Sequence, residues 1–94
     1  MKTIKKVEVH AEYRNEFLPL KIDLMPRTIY ICLKRNCCTH LCLCGCGHEC
    51  FLPLDEGGWN LTDNNGKITI TPSIQQRFEC KSHYIITNGK ANFI

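Results

Sequence analysis

Residues 42–47 read CLCGCG, and this stretch decides how the rest of the 94-residue sequence is interpreted. Its three cysteines, Cys42, Cys44 and Cys46, are separated by single residues, first a leucine and then a glycine. Thiolates two residues apart lie on one side of a strand, so the chain must turn before they converge on one ion. Glycine lacks a Cβ and permits the unusual φ angles of such a turn. The spacing therefore predicts a metal-binding turn.

A fourth ligand is needed, because structural zinc sites hold the ion in a tetrahedron of thiolate or imidazole groups. Seven of the eight cysteines lie between Cys32 and Cys50, and only Cys80 is distant in sequence. A distant ligand would also cross-link the C-terminal part of the chain, as a thin core requires. The predicted zinc ligands are Cys42, Cys44, Cys46 and Cys80. The alternatives that the sequence leaves open are Cys37, Cys38, His48 and Cys50.

Four thiolate ligands leave no position for water, so this zinc ion is predicted to be structural. The eight cysteines could instead form disulfides, but that use requires an oxidising compartment. The first ten residues, MKTIKKVEVH, have the basic start of a signal peptide without its apolar run. No segment is apolar over a length that spans a bilayer. We therefore expect a cytoplasmic protein with reduced thiols and no membrane partner.

The charge pattern argues against a nucleic-acid partner. The formal net charge is only +3, and the basic residues are scattered along the chain. Proteins that bind nucleic acid usually carry a denser basic stripe. We therefore interpret the basic residues as solvated surface.

Apolar alternation and turn signals predict an all-β fold. Residues 7–13 alternate between apolar and polar side chains, with His10 on the polar side. Asn-Gly pairs at positions 65–66 and 88–89 are strong hairpin signals, because both residues tolerate positive φ. The predicted strands are residues 7–13, 27–33, 40–44, 49–54, 59–62, 67–71, 82–87 and 90–94. Residues 34–39 are predicted to form a polar connection, and residues 73–79 a loop or one helical turn.

These elements predict a small antiparallel β meander or sandwich with a cysteine-ligated zinc knot. A chain of this length allows one domain, spanning residues 1–94. Residues 1–26 are its N-terminal strand and connection, and residues 27–94 are its core.

Two serine–histidine pairs are candidates for nucleophilic catalysis. If Cys42 and Cys80 lay on neighbouring antiparallel strands, His40 would face Ser82 on the ligand side, within reach of its proton. This is the preferred dyad. The competing dyad is Ser73 with His83, because Ser73 follows Pro72 at a predicted strand end. The sequence leaves the choice between them open.

Three motifs resemble those of one bacterial family. They are the THLCLCGCGH string at 39–48, the WNL and TITPSI strings at 59–61 and 69–74, and the CKSHYII string at 80–86. The family is that of small zinc-bound serine peptidases of ubiquitination-like (Bub) operons, formerly a domain of unknown function. Some of these operons are linked to antiphage immunity.

The resemblance implies a serine peptidase with a Ser–His dyad that deconjugates or processes a ubiquitin-like protein. His40, Ser73, Ser82 and His83 all fall on the family's motifs, so the resemblance does not choose between the two dyads. The implied partner is the C-terminal tail of the ubiquitin-like protein or its conjugate, which could add as a strand to the edge formed by residues 90–94. The alternative function is a zinc-ribbon-like module that binds protein or nucleic acid without catalysis.

Overall fold

The computed structural model describes residues 6–76 and 79–94, and it confirms the predicted all-β fold. The strands are β1 (Lys6–Glu8), β2 (His10–Tyr13), β3 (Thr28–Cys32), β4 (Cys37–Leu41), β5 (Glu49–Pro53), β6 (Asn60–Asn64), β7 (Lys67–Gln75), β8 (His83–Thr87) and β9 (Lys90–Phe93). The helical segments of the described ranges are two 3-10 turns, Lys21–Asp23 and Leu33–Arg35. Neither turn has the length or the apolar character that crossing a bilayer demands.

The strands form two sheets. The first sheet has the order β1-β9-β8-β7-β6 and is antiparallel throughout. The second has the order β2-β3-β4-β5 and is antiparallel except for the parallel pair of β2 and β3. Both predicted Asn-Gly hairpins are confirmed in the first sheet, where Asn65, Gly66, Asn88 and Gly89 all have positive φ.

The predicted strand at residues 7–13 is divided between the two sheets at Val9. The Val9 amide donates to the carbonyl of Gly89 in the first sheet, whereas the His10 amide donates to the carbonyl of Arg27 next to the second. Val9 is buried and His10 is exposed, so the predicted alternation of side chains holds across the division. The alternation in the sequence predicts which side chains are buried. It does not predict which sheet is joined by the residues before Val9 and which by the residues after it.

The two sheets enclose one buried cluster. Isoleucines at alternate positions supply much of it, as expected for strands with one inward face. Its members from the first sheet include Ile68, Ile70, Ile74, Tyr84, Ile86 and Ala91. Its members from the second sheet include Ile29, Ile31, Cys38, Cys50 and Leu52.

Three predicted strand boundaries are wrong by three residues or more, and one of them is the end of β4, which lies at Leu41 instead of Cys44. β4 begins at Cys37 within the predicted polar connection, because Cys37, Cys38 and Thr39 are buried and pair with both neighbouring strands. β7 runs on to Gln75 through the predicted loop, because an irregularity between Ile70 and Ile74 accommodates the intervening proline. Residues 77 and 78 of that prediction lie outside the described residues.

The edge expected to receive a substrate is also wrong. β9 lies between β1 and β8, so both of its sides are paired. Within the described residues, the edge strands are β1 and β6 in the first sheet and β2 and β5 in the second.

Candidate functional site

Four cysteines form a compact cluster that could hold a metal ion. The Sγ atoms of Cys42, Cys44, Cys46 and Cys80 all lie within 4.8 Å of one another. The sulfurs of Cys42 and Cys44 are 3.5 Å apart, and those of Cys42 and Cys80 are 3.8 Å apart. A tetrahedral site with Zn–S bonds of about 2.3 Å would separate its sulfurs by about 3.8 Å. The donor set and its spacing therefore fit a thiophilic metal.

The cluster joins the two sheets. Cys42 to Cys46 lie in the turn that follows β4, where the Gly45 amide donates to the Cys42 carbonyl at 3.0 Å. Gly45 has a φ of 92°, a left-handed conformation in which an L side chain is strained. Cys80 instead precedes β8 of the first sheet. A metal ion bound here would fix the end of β4 to the start of β8.

Ser82 belongs to the surroundings of this cluster. Its hydroxyl donates a hydrogen bond to the sulfur of Cys80, which lowers the pKa of that thiol to about 6. The same hydroxyl has only one proton, which it can direct to the sulfur of Cys42 instead. The pKa of Cys42 is nevertheless raised to about 12, because burial disfavours its thiolate. Ser82 is thus placed to orient and stabilise the sulfur ligands.

The other candidate ligands lie outside the four-sulfur cluster. The Nδ1 atom of His48 is 3.4 Å from the sulfur of Cys46, at the margin of the cluster. Cys37, Cys38 and Cys50 are buried within β4 and β5. Burial raises the pKa of Cys38 to about 12, so its side chain is a neutral thiol. These three cysteines serve as small apolar side chains of the interior.

The strand pairing that was expected to join His40 to Ser82 is wrong. His40 is in β4 of the second sheet and pairs with Cys50, whereas Ser82 immediately precedes β8 of the first sheet. The cluster is built from the turn after β4 and the segment before β8, so it does not require these two strands to be neighbours. The ligands therefore meet without their strands pairing.

His40 is instead a core residue. Its side chain is fully buried, and its Nε2 lies 2.8 Å from the hydroxyl of Tyr84. That hydroxyl accepts hydrogen bonds from the Gln76 amide nitrogen at 3.2 Å and from the Leu43 backbone at 3.5 Å, so its own proton is directed to His40. Burial lowers the pKa of His40 to about 4, which keeps the ring neutral. Its Nδ1 atom is buried and has no hydrogen-bond partner among the described residues.

The structure brings the competing pair together. The Nε2 atom of His83 lies 2.8 Å from the Oγ atom of Ser73, and both side chains are partly buried. Gln75 pairs with His83 across β7 and β8, which makes Ser73 the diagonal neighbour of His83 on the same face. Their neighbours Ile74 and Tyr84 point into the core. The serine and histidine therefore lie on the outer face of the first sheet.

Local structure around Ser73 holds it in place. The register between β7 and β8 shifts between Ile70 and Ile74, and Ser73 lies within this irregular stretch. Such bulges redirect side chains and are frequent next to active sites. The indole Nε1 of Trp59 donates a hydrogen bond to the Ser73 carbonyl at 3.4 Å. Reasoning from the sequence missed this contact, because Trp59 precedes β6 and Ser73 lies beyond the last residue of β7 that pairs with β6.

The chain connects the sulfur cluster to the serine–histidine pair within four residues. Cys80 contributes to the cluster, and Ser82 donates to its sulfurs. The next residue, His83, reaches Ser73 on the sheet face. An imidazole nitrogen within hydrogen-bond reach of a serine hydroxyl is the arrangement by which a general base activates an oxygen nucleophile.

The fold and site define a small two-sheet β protein with a four-cysteine cluster beside a serine–histidine pair. The chain belongs to the BubE family, described as the bacterial ubiquitination-like system serine protease, which it matches over residues 14–94. No curated protein and no solved structure matches the chain.

Proposed function

We propose that the protein is a serine peptidase in which Ser73 is the nucleophile and His83 is the general base. The observation that carries this proposal is the 2.8 Å distance between the Ser73 hydroxyl oxygen and the His83 Nε2 nitrogen. Membership of a serine protease family supports it. Ser82 is less suited to the role, because its hydroxyl donates to cysteine sulfurs.

The substrate is the C-terminal region of a ubiquitin-like protein, joined to another group through an amide bond. We infer this substrate class because the family belongs to a bacterial ubiquitination-like system. The protein would act as a deconjugating or processing enzyme, and its proposed place is the cytoplasm, in an antiphage system.

The reaction uses the two side chains in sequence. His83 Nε2 takes the hydroxyl proton of Ser73 as the oxygen attacks the carbonyl carbon of the scissile amide. The bond to nitrogen breaks, His83 returns the proton to the leaving amine, and an ester to Ser73 remains. Water then gives a proton to His83 and attacks the ester, which releases the carboxylic acid product and restores the Ser73 hydroxyl.

A structural zinc ion is the proposed occupant of the sulfur cluster. Cys42, Cys44, Cys46 and Cys80 would hold it, and a closed four-thiolate site supplies cross-linking and no reactive position. Because Cys80 lies three residues before His83, this cross-link would hold the start of β8 and the histidine on it. The proposed role of zinc is therefore to keep the base aligned with Ser73.

The test uses the only two serines of the sequence as matched variants. Zinc-loaded wild-type protein, Ser73→Ala and Ser82→Ala are incubated with a fluorophosphonate probe, and cleavage of a fusion carrying a ubiquitin-like C-terminal tail is followed in parallel. We expect labelling in the wild type and in Ser82→Ala, and its loss in Ser73→Ala with a fall in kcat of about 10³-fold or more. Labelling that disappears only in Ser82→Ala would overturn the assignment. A wild type that neither labels nor cleaves would favour a binding module without catalysis.

A further inference from the structure

A groove of about 340 Å³ is lined by the residues that directly follow Ser73 along the chain. One wall is formed by residues of β5 and the other by the end of β7 and the residue after it, with Trp59 also lining the groove. Its lining residues are Glu49, Cys50, Phe51, Leu52, Trp59, Ile74, Gln75 and Gln76. The groove therefore contains the two residues that follow Ser73 along β7, together with an edge strand of the second sheet.

The β5 wall offers unpaired backbone groups. The Cys42 amide donates to the His48 carbonyl, so alternation along the antiparallel pair directs the backbone of Cys50 and Leu52 towards β4. The backbone groups of Glu49 and Phe51 then point away from β4. Within the described ranges, β5 is an edge strand with no partner strand on that side. An extended peptide could pair with these groups as an added strand.

The end of β7, which forms the other wall, also has backbone groups that point away from its neighbouring strand. The Gln76 amide donates to the Ser82 carbonyl, so alternation directs the backbone of Ser73 and Gln75 away from β8. On that side β6 has already ended, because its last pair with β7 is between Asn60 and Thr71. Among the described residues, Ser73 therefore has no partner strand on this side, where its carbonyl accepts only the Trp59 indole.

Trp59 connects the two walls. Its backbone amide donates to the Pro53 carbonyl at the end of β5, and its indole Nε1 donates to the Ser73 carbonyl of β7. The edge strand and the nucleophile are thus hydrogen-bonded to one residue. A peptide paired with β5 would consequently be held at a fixed position relative to Ser73.

We infer that this groove is the substrate-binding cleft, and that the extended C-terminal tail of the ubiquitin-like substrate binds in it as a strand added to Glu49 and Phe51. This inference rests on the proposed function for the identity of the substrate. Phe51, which is 56% exposed, and Trp59 supply apolar contacts for side chains of the tail. The Glu49 carboxylate, which accepts a hydrogen bond from the Thr39 hydroxyl at 2.6 Å, supplies a fixed negative charge at one end.

The test measures binding separately from catalysis. A synthetic peptide of the ubiquitin-like tail is added to zinc-loaded Ser73→Ala protein, and amide hydrogen exchange is measured residue by residue. We expect the Glu49 and Phe51 amides to exchange at least ten-fold more slowly with the peptide bound, while the Ala11 amide on the opposite edge strand β2 is unaffected. Unchanged exchange at Glu49 and Phe51 under saturating peptide would overturn the inference.

Proline variants provide a second readout in the same Ser73→Ala background. Phe51→Pro removes an outward amide, and we expect it to weaken peptide affinity at least ten-fold. Ala11→Pro is the matched control, because its amide also points outward: the His10 and Arg14 amides are the ones that donate towards β3. We expect this control to bind the peptide as tightly as its parent. Equal affinities of the two proline variants would contradict the inference.

Different results would refute the proposed peptidase activity and the proposed cleft. Peptide-dependent protection at Glu49 and Phe51 in a protein whose wild type never reacts with the fluorophosphonate would retain the cleft and reject the peptidase. Fluorophosphonate labelling of Ser73 without any protection at β5 would retain the peptidase and reject this cleft.

Discussion

His40 and Tyr84 join the two sheets through a hydrogen bond of 2.8 Å between the imidazole Nε2 and the phenol oxygen. The rings also meet edge to face, with centroids 6.0 Å apart. Both side chains are fully buried, so the contact lies in the interior between β4 and β8. The histidine of the cysteine-rich motif therefore contributes to the packing of the sheets.

Replacing Tyr84 with phenylalanine tests how much this contact contributes to the stability of the fold. The phenol serves His40, Gln76 and the Leu43 amide, so Tyr84→Phe leaves three buried polar groups without that partner. We expect a loss of about 2–4 kcal/mol in the free energy of unfolding, measured by urea denaturation of the zinc-loaded protein. Tyr30→Phe is the matched control, since its hydroxyl accepts one bond, from the Met25 amide, and its loss should cost about 1 kcal/mol. Equal losses in the two variants would contradict the proposed network.

The sequence predicts the parts of the fold that depend on neighbouring residues. The turns at Asn65 and Asn88 are local, because a positive φ at two adjacent residues is enough to fold each hairpin. The cysteine turn is local for the same reason, through Gly45 and Gly47. The sequence also groups Cys80 with these cysteines, because it is the only distant cysteine, and its sulfur lies within 4.8 Å of the other three.

The sequence does not indicate which strands pair when they are far apart along the chain. The alternation of residues 7–13 is the same whether the strand stays in one sheet or changes sheets at Val9. The position of His40 relative to Ser82 depended on whether β4 and β8 were neighbours, and no local rule decides that. The contact of Ser73 with His83 depends on the register of β7 after Pro72, where the irregular stretch restores the pairing at Ile74. The candidate site could therefore be narrowed to two pairs but not to one.

Ser82→Ala tests whether this serine supports the metal ligands. Its single hydroxyl proton can be donated to the sulfur of Cys80 or to that of Cys42, so the alanine variant loses a donor that these two ligands share. We expect zinc affinity, measured by competition with a chromophoric chelator, to fall by about 10–100-fold. Ser82→Thr keeps a hydroxyl and should retain most of the affinity. Wild-type affinity in the alanine variant would show that the hydroxyl is not needed by the site.

Gly45 tests the conformation of the cysteine turn. No atom of residues 6–76 or 79–94 lies within 4 Å of where a Cβ would stand, so a side chain here is disfavoured by the positive φ and not by crowding. We expect Gly45→Ala to lose about 1–2 kcal/mol in the free energy of unfolding of the zinc-loaded protein. Gly45→Asn should lose less, because asparagine tolerates the left-handed region better. An alanine variant as stable as the wild type would contradict a turn that requires glycine.

Cysteine alkylation separates the proposed ligands from the buried thiols. With zinc bound, iodoacetamide at pH 8 should leave the four cluster cysteines unmodified. After chelation, Cys44 and Cys46 should react readily because they are exposed. Cys38 should stay unmodified in both states, because it is fully buried and its pKa is raised to about 12, which leaves few thiolates to react.

Peptide mass spectrometry after quenching would read out each cysteine, with guanidinium-denatured protein as the control in which all eight react. Equal modification of Cys44 and Cys46 before and after chelation would show that zinc does not protect them. Rapid modification of Cys38 in the chelated protein would instead show that removing the metal opens the interior between the sheets. The proposed cross-link between β4 and β8 predicts only local opening, since the buried cluster shared by the two sheets extends well beyond the sulfur atoms.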